Sequence, residues 1–321
     1  MPSDPTAWAE QGWAEPAPVG PPPLAPPIRA RRTTSKRTRF VEETVEIRGR
    51  PRTVSRPVPG PPRLGKRRYA VVYDVDGPRI RLGVAWFALL ILSISIGPWA
   101  TALLLAGMAA VAGKQTADAW HEQGSGASWW AAAMLAALIP LASIFGVALM
   151  GLAVLCVPLV AVVVAGLDPE RRGPLAEAAG TTVQSALFAG MAAAGVVLTY
   201  RFEIGAVVVL VLLVSAYEVG DYIIGSGSSN SVEGPVAGIL CIVVVTFVLQ
   251  VASVPPWRGP DIWAWGALAA VCCPLGQLAA SAVLPAADAR AGALRRLDSL
   301  LLLAPVWAWT VGLYLHGLAP G

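Results

Sequence analysis

The sequence predicts an all-α polytopic membrane protein with about nine transmembrane helices after a disordered N-terminal tail. Three observations carry that prediction. Of 321 residues 55% are hydrophobic and only 14% charged, and the mean hydropathy is +0.61. Charge is unevenly distributed: residues 1–82 hold 16 of the 24 Lys and Arg and 8 of the 20 acidic residues, whereas 83–321 hold 8 basic and 12 acidic ones. From Gly83 onward, apolar runs recur at lengths near the ~20 residues a helix needs to cross a bilayer. The chain thus divides into a soluble basic tail, 1–82, and a membrane domain, 83–321, with N-terminal helices to 200 and a second group from 201. The formal charge of +4 sums two opposite parts, so a pI of 9.0 is no argument for nucleic acid.

The tail comes first. Residues 1–65 contain 14 of the 28 prolines and few large aliphatic side chains, so burial cannot offset the entropy of ordering them. Basic clusters at Arg29, Arg31, Arg32, Lys36, Arg37, Arg39 and at Lys66, Arg67, Arg68 continue to Arg79 and Arg81, just before the first span. Juxtamembrane basic residues set topology and attract anionic lipid. Tyr69–Tyr73 followed by Asp74, Asp76, Gly77 and Pro78 has the pattern of a short strand and turn. The first apolar run begins too late for a removable secretory signal, so the first span is expected to stay uncleaved.

Breaks at charge, Pro and Gly mark nine spans: 83–97, 98–113, 129–147, 149–166, 183–200, 204–225, 235–255, 262–284 and 299–317. The alternative joins the first two into one helix kinked at Pro98. Basic residues separate the two arrangements. With nine spans and a cytoplasmic tail, Lys114, Arg171, Arg172, Arg290, Arg295 and Arg296 all lie inside, and only Arg201 and Arg258 outside; eight spans would reverse this and violate the positive-inside bias. Trp129, Trp130, Trp257, Trp263 and Trp265 fall at span ends, where indoles favour the interface. Arg outnumbers Lys 21 to 3 and Ala, Gly and Pro abound, a bias of GC-rich bacterial genes that points to a bacterial plasma membrane.

Several chemistries have no support. Cys156, Cys241, Cys272 and Cys273 sit inside apolar runs without the spacing of a zinc or redox motif. His121 and His316 stand apart from one another and read as a solvated loop residue and a membrane-boundary residue rather than as parts of a catalytic cluster. Polar residues of the membrane domain instead collect at one expected face: Glu218 and Asp221 at the end of the sixth span, the loop GSGSSNSVEG with Ser231 and Glu233, Gln277 and Ser281 in the eighth, then Arg290, Arg295, Arg296 and Asp298. A carboxylate in hydrocarbon costs roughly 2.5–3.5 kcal/mol on insertion scales, so these should face protein or a wet cavity. Glu218 and Asp221, three apart, share one helix face. That suits a shared cation, pairing with Arg, or simply a helix end reaching water. The Gly/Ser loop lacks the Lys of a P-loop.

The strings EVGDYIIG, SVEGPVAGIL, GQLAAS and GALRRLDSLLLLAPVWAW occur in the order and rough spacing of the C-terminal half of CDP-diacylglycerol synthases, the membrane phosphatidate cytidylyltransferases, and the chain resembles that family over about residues 210–310. The family carries D-x-G-A-Y-x-x-G, S-P-x-K-T-x-E-G, G-D-L-x-E-S-x-x-K-R and H-G-G-x-x-D-R-x-D-S. Here Glu218 stands at the first Asp and Asp221 at the alanine, while Tyr222, Gly225, Ser231, Glu233, Gly234 and Ser281 match. Asn230 takes the place of the phosphate-binding Lys, Gln277 of the Asp, Ala280 of the Glu, Leu284 and Pro285 of the Lys-Arg pair, and Arg295 of the metal-binding Asp, leaving Arg296, Asp298 and Ser299. The resemblance implies a cytoplasmic site for CTP, phosphatidate and Mg²⁺; the departures imply a diverged, non-catalytic member. Phosphoryl transfer joins two polyanions and needs metals and cations, and an arginine cannot ligate Mg²⁺.

Such a member would bind anionic lipid or nucleotide phosphate through Arg295 and Arg296, with Ser231, Glu233 and Ser281 beside them, and its partners would be membrane lipids rather than nucleic acid. The alternative is an active enzyme transferring CMP from CTP to phosphatidate or a related lipid phosphate, with Mg²⁺ on Glu218, Asp221 and Asp298. A transporter-like protein of another family is the third possibility. The charge distribution itself sets a topology test. In intact cells, and with the four native cysteines replaced, an impermeant thiol reagent should label Gly259→Cys and Ala319→Cys and spare Gly173→Cys and Ala291→Cys. Strong labelling at 173 would instead support eight spans.

Overall fold

The computed structural model describes residues 40–47, 50–57, 79–169, 173–226, 232–257, 259–286 and 289–318, in two units, 1–63 and 64–321. In the first, β1 (Phe40–Ile47) pairs antiparallel with β2 (Arg50–Pro57), in register from Phe40 opposite Pro57 to Ile47 opposite Arg50. Composition did not predict this hairpin. Its β-branched residues Val41, Thr44, Val45, Ile47, Thr53 and Val54 have strand propensity. The expected strand at Tyr69–Tyr73 and the basic clusters before Arg50 lie outside the described residues.

The second unit is all α. Its described helices are α1 (Arg79–Ile96), α2 (Pro98–Glu122), α3 (Trp129–Ser143), α4 (Val147–Leu167), α5 (Leu175–Phe202), α6 (Ile204–Gly225), α7 (Glu233–Ala252), α8 (Ile262–Val283) and α9 (Leu300–Leu318). The chain breaks at Gly97, whose φ of +138° only glycine adopts readily, and Pro98 opens α2. Two helices therefore replace the single kinked helix. Two elements outrun their expected spans. α2 continues to Glu122, helped by the Lys114–Asp118 pair at 2.6 Å one turn apart, and α5 begins at Leu175 with Glu177 in its first turn, where the helix dipole favours an acid.

Helices α4 to α9 are each long and apolar enough to cross a membrane; α1 and α3 contain shorter apolar stretches. The protein is accordingly a multi-pass helical membrane protein. α5 is the most buried of the membrane-length helices and packs against α2, α3, α4 and α9. Small residues make this possible. A Cβ on Gly190 would lie 2.6 Å from Ile139 of α3, and one on Gly195 would lie 2.5 Å from the Ala304 carbonyl of α9. Between lipid-bathed helices the hydrophobic effect contributes little, so such backbone approach supplies much of the attraction.

Contacts sort the helix ends into two groups. At one end Ser128 N–H donates to Thr182 Oγ1 (3.0 Å), and the Trp120 and Gln184 side chains donate to the Val283 carbonyl (2.9 and 3.1 Å). At the other, Tyr200 donates to the Ile94 carbonyl (3.0 Å), Trp99 stacks edge-on with Phe145, and Tyr314 donates to Asp261 (2.8 Å). Trp257, Trp265 and Trp307 form a buried aromatic block near that second end, with centroids 4.9–5.7 Å apart.

Candidate functional site

Three helix ends build the polar site. Tyr217 and Asp221 are four apart on α6, and Gln277 and Ser281 four apart on α8, so each pair projects from one face. The faces meet. Tyr217 Oη donates to Gln277 Oε1 at 2.9 Å, and Gln277 Nε2 donates to Asp221 Oδ2 at 2.9 Å. All three side chains are buried, Tyr217 completely. Ser281 Oγ donates to the Gln277 carbonyl (3.3 Å) and accepts from Arg295 Nη1 (3.1 Å).

The third contributor is the segment between α8 and α9. Leu294–Arg296 forms a 3-10 turn, and Asp298 follows just before α9. Asp298 Oδ1 accepts from the Ser299 N–H at 2.7 Å and the Ser299 hydroxyl at 3.4 Å, which fixes the carboxyl at the N-terminal end of α9. The close approach depends on Gly276 of α8: any Cβ there would collide with the Asp298 carbonyl. Glu218, half-buried, shares the Ser299 hydroxyl and lies within electrostatic reach of Asp298, Arg296 and Asp221. The Arg296 guanidinium extends toward Gly83 of α1, with Nη1 3.4 Å from where a Cβ would stand. Gln115 Oε1 of α2 accepts from the Ala293 N–H (2.9 Å), tying the segment to the N-terminal helices.

Of the residues singled out in the sequence, the fold brings together Glu218, Asp221, Ser281, Arg295, Arg296 and Asp298. Glu233 is exposed on the first turn of α7, in a shallow hollow with Ile224, Val236 and Leu240, where the helix dipole favours an acid. Ser231, with Asn230 and most of the Gly/Ser loop, lies outside the described residues. Tyr217 was missed as a member of the network, although its spacing from Asp221 signals a shared face. Trp120 and Gln184 were missed as well; both satisfy the Val283 carbonyl at the end of α8, one of the carbonyls a helix end leaves without an internal partner.

The carboxylates do not fit Mg²⁺ well. Among the described residues no three His, Cys, Asp or Glu side chains are placed to hold a metal ion. Asp221 Oδ2 faces an amide N–H and Asp298 Oδ1 a backbone N–H, while Arg295 and Arg296 stand close enough to influence Asp298 and Glu218 and would repel a divalent cation. The arrangement can pair charges and hold protons. No family model matches the chain, and no curated protein matches it either.

Burial is the main influence on Asp298, pushing its carboxyl from the ordinary 3.8 to about 7; Arg295 and the Ser299 backbone N–H oppose that shift and Asp221 adds to it. Burial lowers the Arg295 guanidinium, and the Asp298 charge acts in the opposite direction. The folded protein therefore keeps a proton on Asp298 that the unfolded chain releases between about pH 4 and 7. Stability should fall as pH rises through that window. Thermal melts in detergent from pH 4.5 to 8 should show this decline, and Asp298→Asn should make it shallower. An equal decline in the variant would assign the proton elsewhere.

Proposed function

We propose that the chain is a nine-span protein of a bacterial plasma membrane, with its tail and polar network on the cytoplasmic side, and that it is a non-catalytic relative of the CDP-diacylglycerol synthases that holds the phosphate of an anionic lipid. Support for the orientation is electrostatic: the end bearing the network also carries Lys114, Arg295 and Arg296. Support for lost catalysis rests mainly on Gln277. Where the family it resembles has a carboxylate, this amide donates to Asp221 and accepts from Tyr217. It turns a position suited to a metal ligand into one that neutralises a neighbouring acid by hydrogen bonding. A phosphate would then be held by Arg295 and Arg296, through charge-assisted bonds of the kind guanidinium forms with phosphate oxygens.

The reading is tested with the full-length protein in nanodiscs. Given CTP, Mg²⁺ and phosphatidate it should form no CDP-diacylglycerol. It should bind phosphatidate, and the Arg295→Gln, Arg296→Gln double variant should bind it about 10- to 100-fold more weakly, the loss expected for charge-assisted hydrogen bonds. Binding of CTP in place of the lipid would assign the site to nucleotide phosphate. Metal-dependent product formation, abolished by Glu218→Gln or Asp298→Asn, would overturn the non-catalytic reading, and unchanged lipid affinity in the double variant would overturn the phosphate site.

A further inference from the structure

At the helix ends opposite the polar network, α4, α5 and α9 enclose a groove of about 390 Å³. Its lining is overwhelmingly apolar and includes Met150 of α4, Met191 and Leu198 of α5 and Leu313 of α9. Along α9 it reaches from Pro305 to His316, about 16 Å at 1.5 Å rise per residue. That is close to half of the ~30 Å hydrocarbon core, the depth of one leaflet. All three helices are of membrane-spanning length, so acyl chains bathe the open side of the groove.

One end of the groove has a different character. His316 lines it and is exposed. Val147 and Phe202 line it too, and their chain neighbours Gly146 and Arg201 meet there: the Arg201 guanidinium has Nη1 3.4 Å from where a Cβ on Gly146 would stand. Arg201 is exposed, at the level where phospholipid head groups lie. The adjacent acid, Glu203, accepts from the Gly205 N–H at 3.4 Å, at the start of α6. An apolar slot one leaflet deep thus ends in a permanent cation and an imidazole.

The geometry points to a binding site for one anionic phospholipid, with an acyl chain along the groove between Met150, Met191 and Leu313 and its phosphate at Arg201 and His316. A guanidinium matches phosphate oxygens in a two-pronged hydrogen bond. A zwitterionic head group would bring its own ammonium to the same cation, so net negative lipids are selected. The site lies at the opposite end of α9 from Arg295 and Asp298 and stands independently of the function proposed above.

The test uses the full-length protein in vesicles containing traces of phosphatidylglycerol or phosphatidylcholine with a photoreactive diazirine in mid-chain, and adducts are mapped by mass spectrometry. Adducts should concentrate on Met150, Met191 and Leu313, with about five-fold more from phosphatidylglycerol, the preference that one basic residue near a membrane surface provides. A Cβ on Gly312 would make only ordinary contact with the Phe202 ring, at 3.5 Å, so Gly312→Leu should fill the groove and remove most of these adducts. Leu313→Trp, at a lipid-exposed position, should do the same if the glycine variant misfolds. Arg201→Gln should equalise the two lipids. Adducts on the exposed Leu240 and Phe247 of α7 report ordinary boundary lipid and should stay constant throughout. Equal labelling of groove and α7, the absence of any head-group preference, or cross-links from a second copy of the chain in the groove would each overturn the site.

Discussion

Polar groups buried between membrane helices have no water to turn to, so leaving one without a partner inside the protein is costly. That constraint explains the least expected feature of the structure, the amide of Gln277 shared between a tyrosine hydroxyl and an aspartate. An isolated carboxylate at Asp221, buried where α6 meets α8, would be costly. The Gln277 amide N–H, its oxygen held by the Tyr217 hydroxyl, gives that carboxylate a partner, and the same demand accounts for the two side chains converging on the Val283 carbonyl. Close helix contact then follows from glycines placed at the crossings: Gly195 beneath Ala304, Gly220 against Ala237, and Gly276 against the Asp298 backbone.

The chemistry open to the site follows from how its lone pairs are used. Asp221 and Asp298 each have an oxygen engaged by an N–H. Arg295 acts on Asp298 and Arg296 on Glu218 at short range. Such a network favours charge pairing and proton retention over holding a metal, since guanidinium groups beside the carboxylates oppose the local field that a divalent cation requires. Its place at the end of the helices still leaves the guanidinium groups near the level of lipid phosphates, the basis for reading it as a binding site.

Much of the architecture was legible because its signals are long. Apolar runs bounded by Pro, Gly and charge located the helices, and Gly97 with Pro98 marked a true break. Glu218, Asp221, Arg295, Arg296 and Asp298 could be grouped from alternating span ends alone. What escaped the sequence has short or nonlocal causes. α2 and α5 continue beyond their apolar stretches because helix propensity and one-turn ion pairs do not register in a hydropathy reading. Glu233 resembles its acidic neighbours in sequence, yet its helix turns it outward. Tyr217 and Gln184 looked like ordinary residues of apolar helices; their partners lie 60 and 99 positions away, a distance that no periodicity encodes. The lipid-facing groove depends on three helices meeting and leaves no motif at all.

The central claim is that Gln277 and Asp221 act as one buried unit, and a double-mutant cycle tests it most directly. Unfolding free energies would be measured by denaturant titration in mixed micelles for the wild type, Asp221→Ala, Gln277→Ala and the double variant. Coupling of about 1.5–3 kcal/mol, the range for a hydrogen bond to a charged group, is the predicted result. Additivity within about 0.5 kcal/mol would show that the two side chains are energetically independent and would contradict the account.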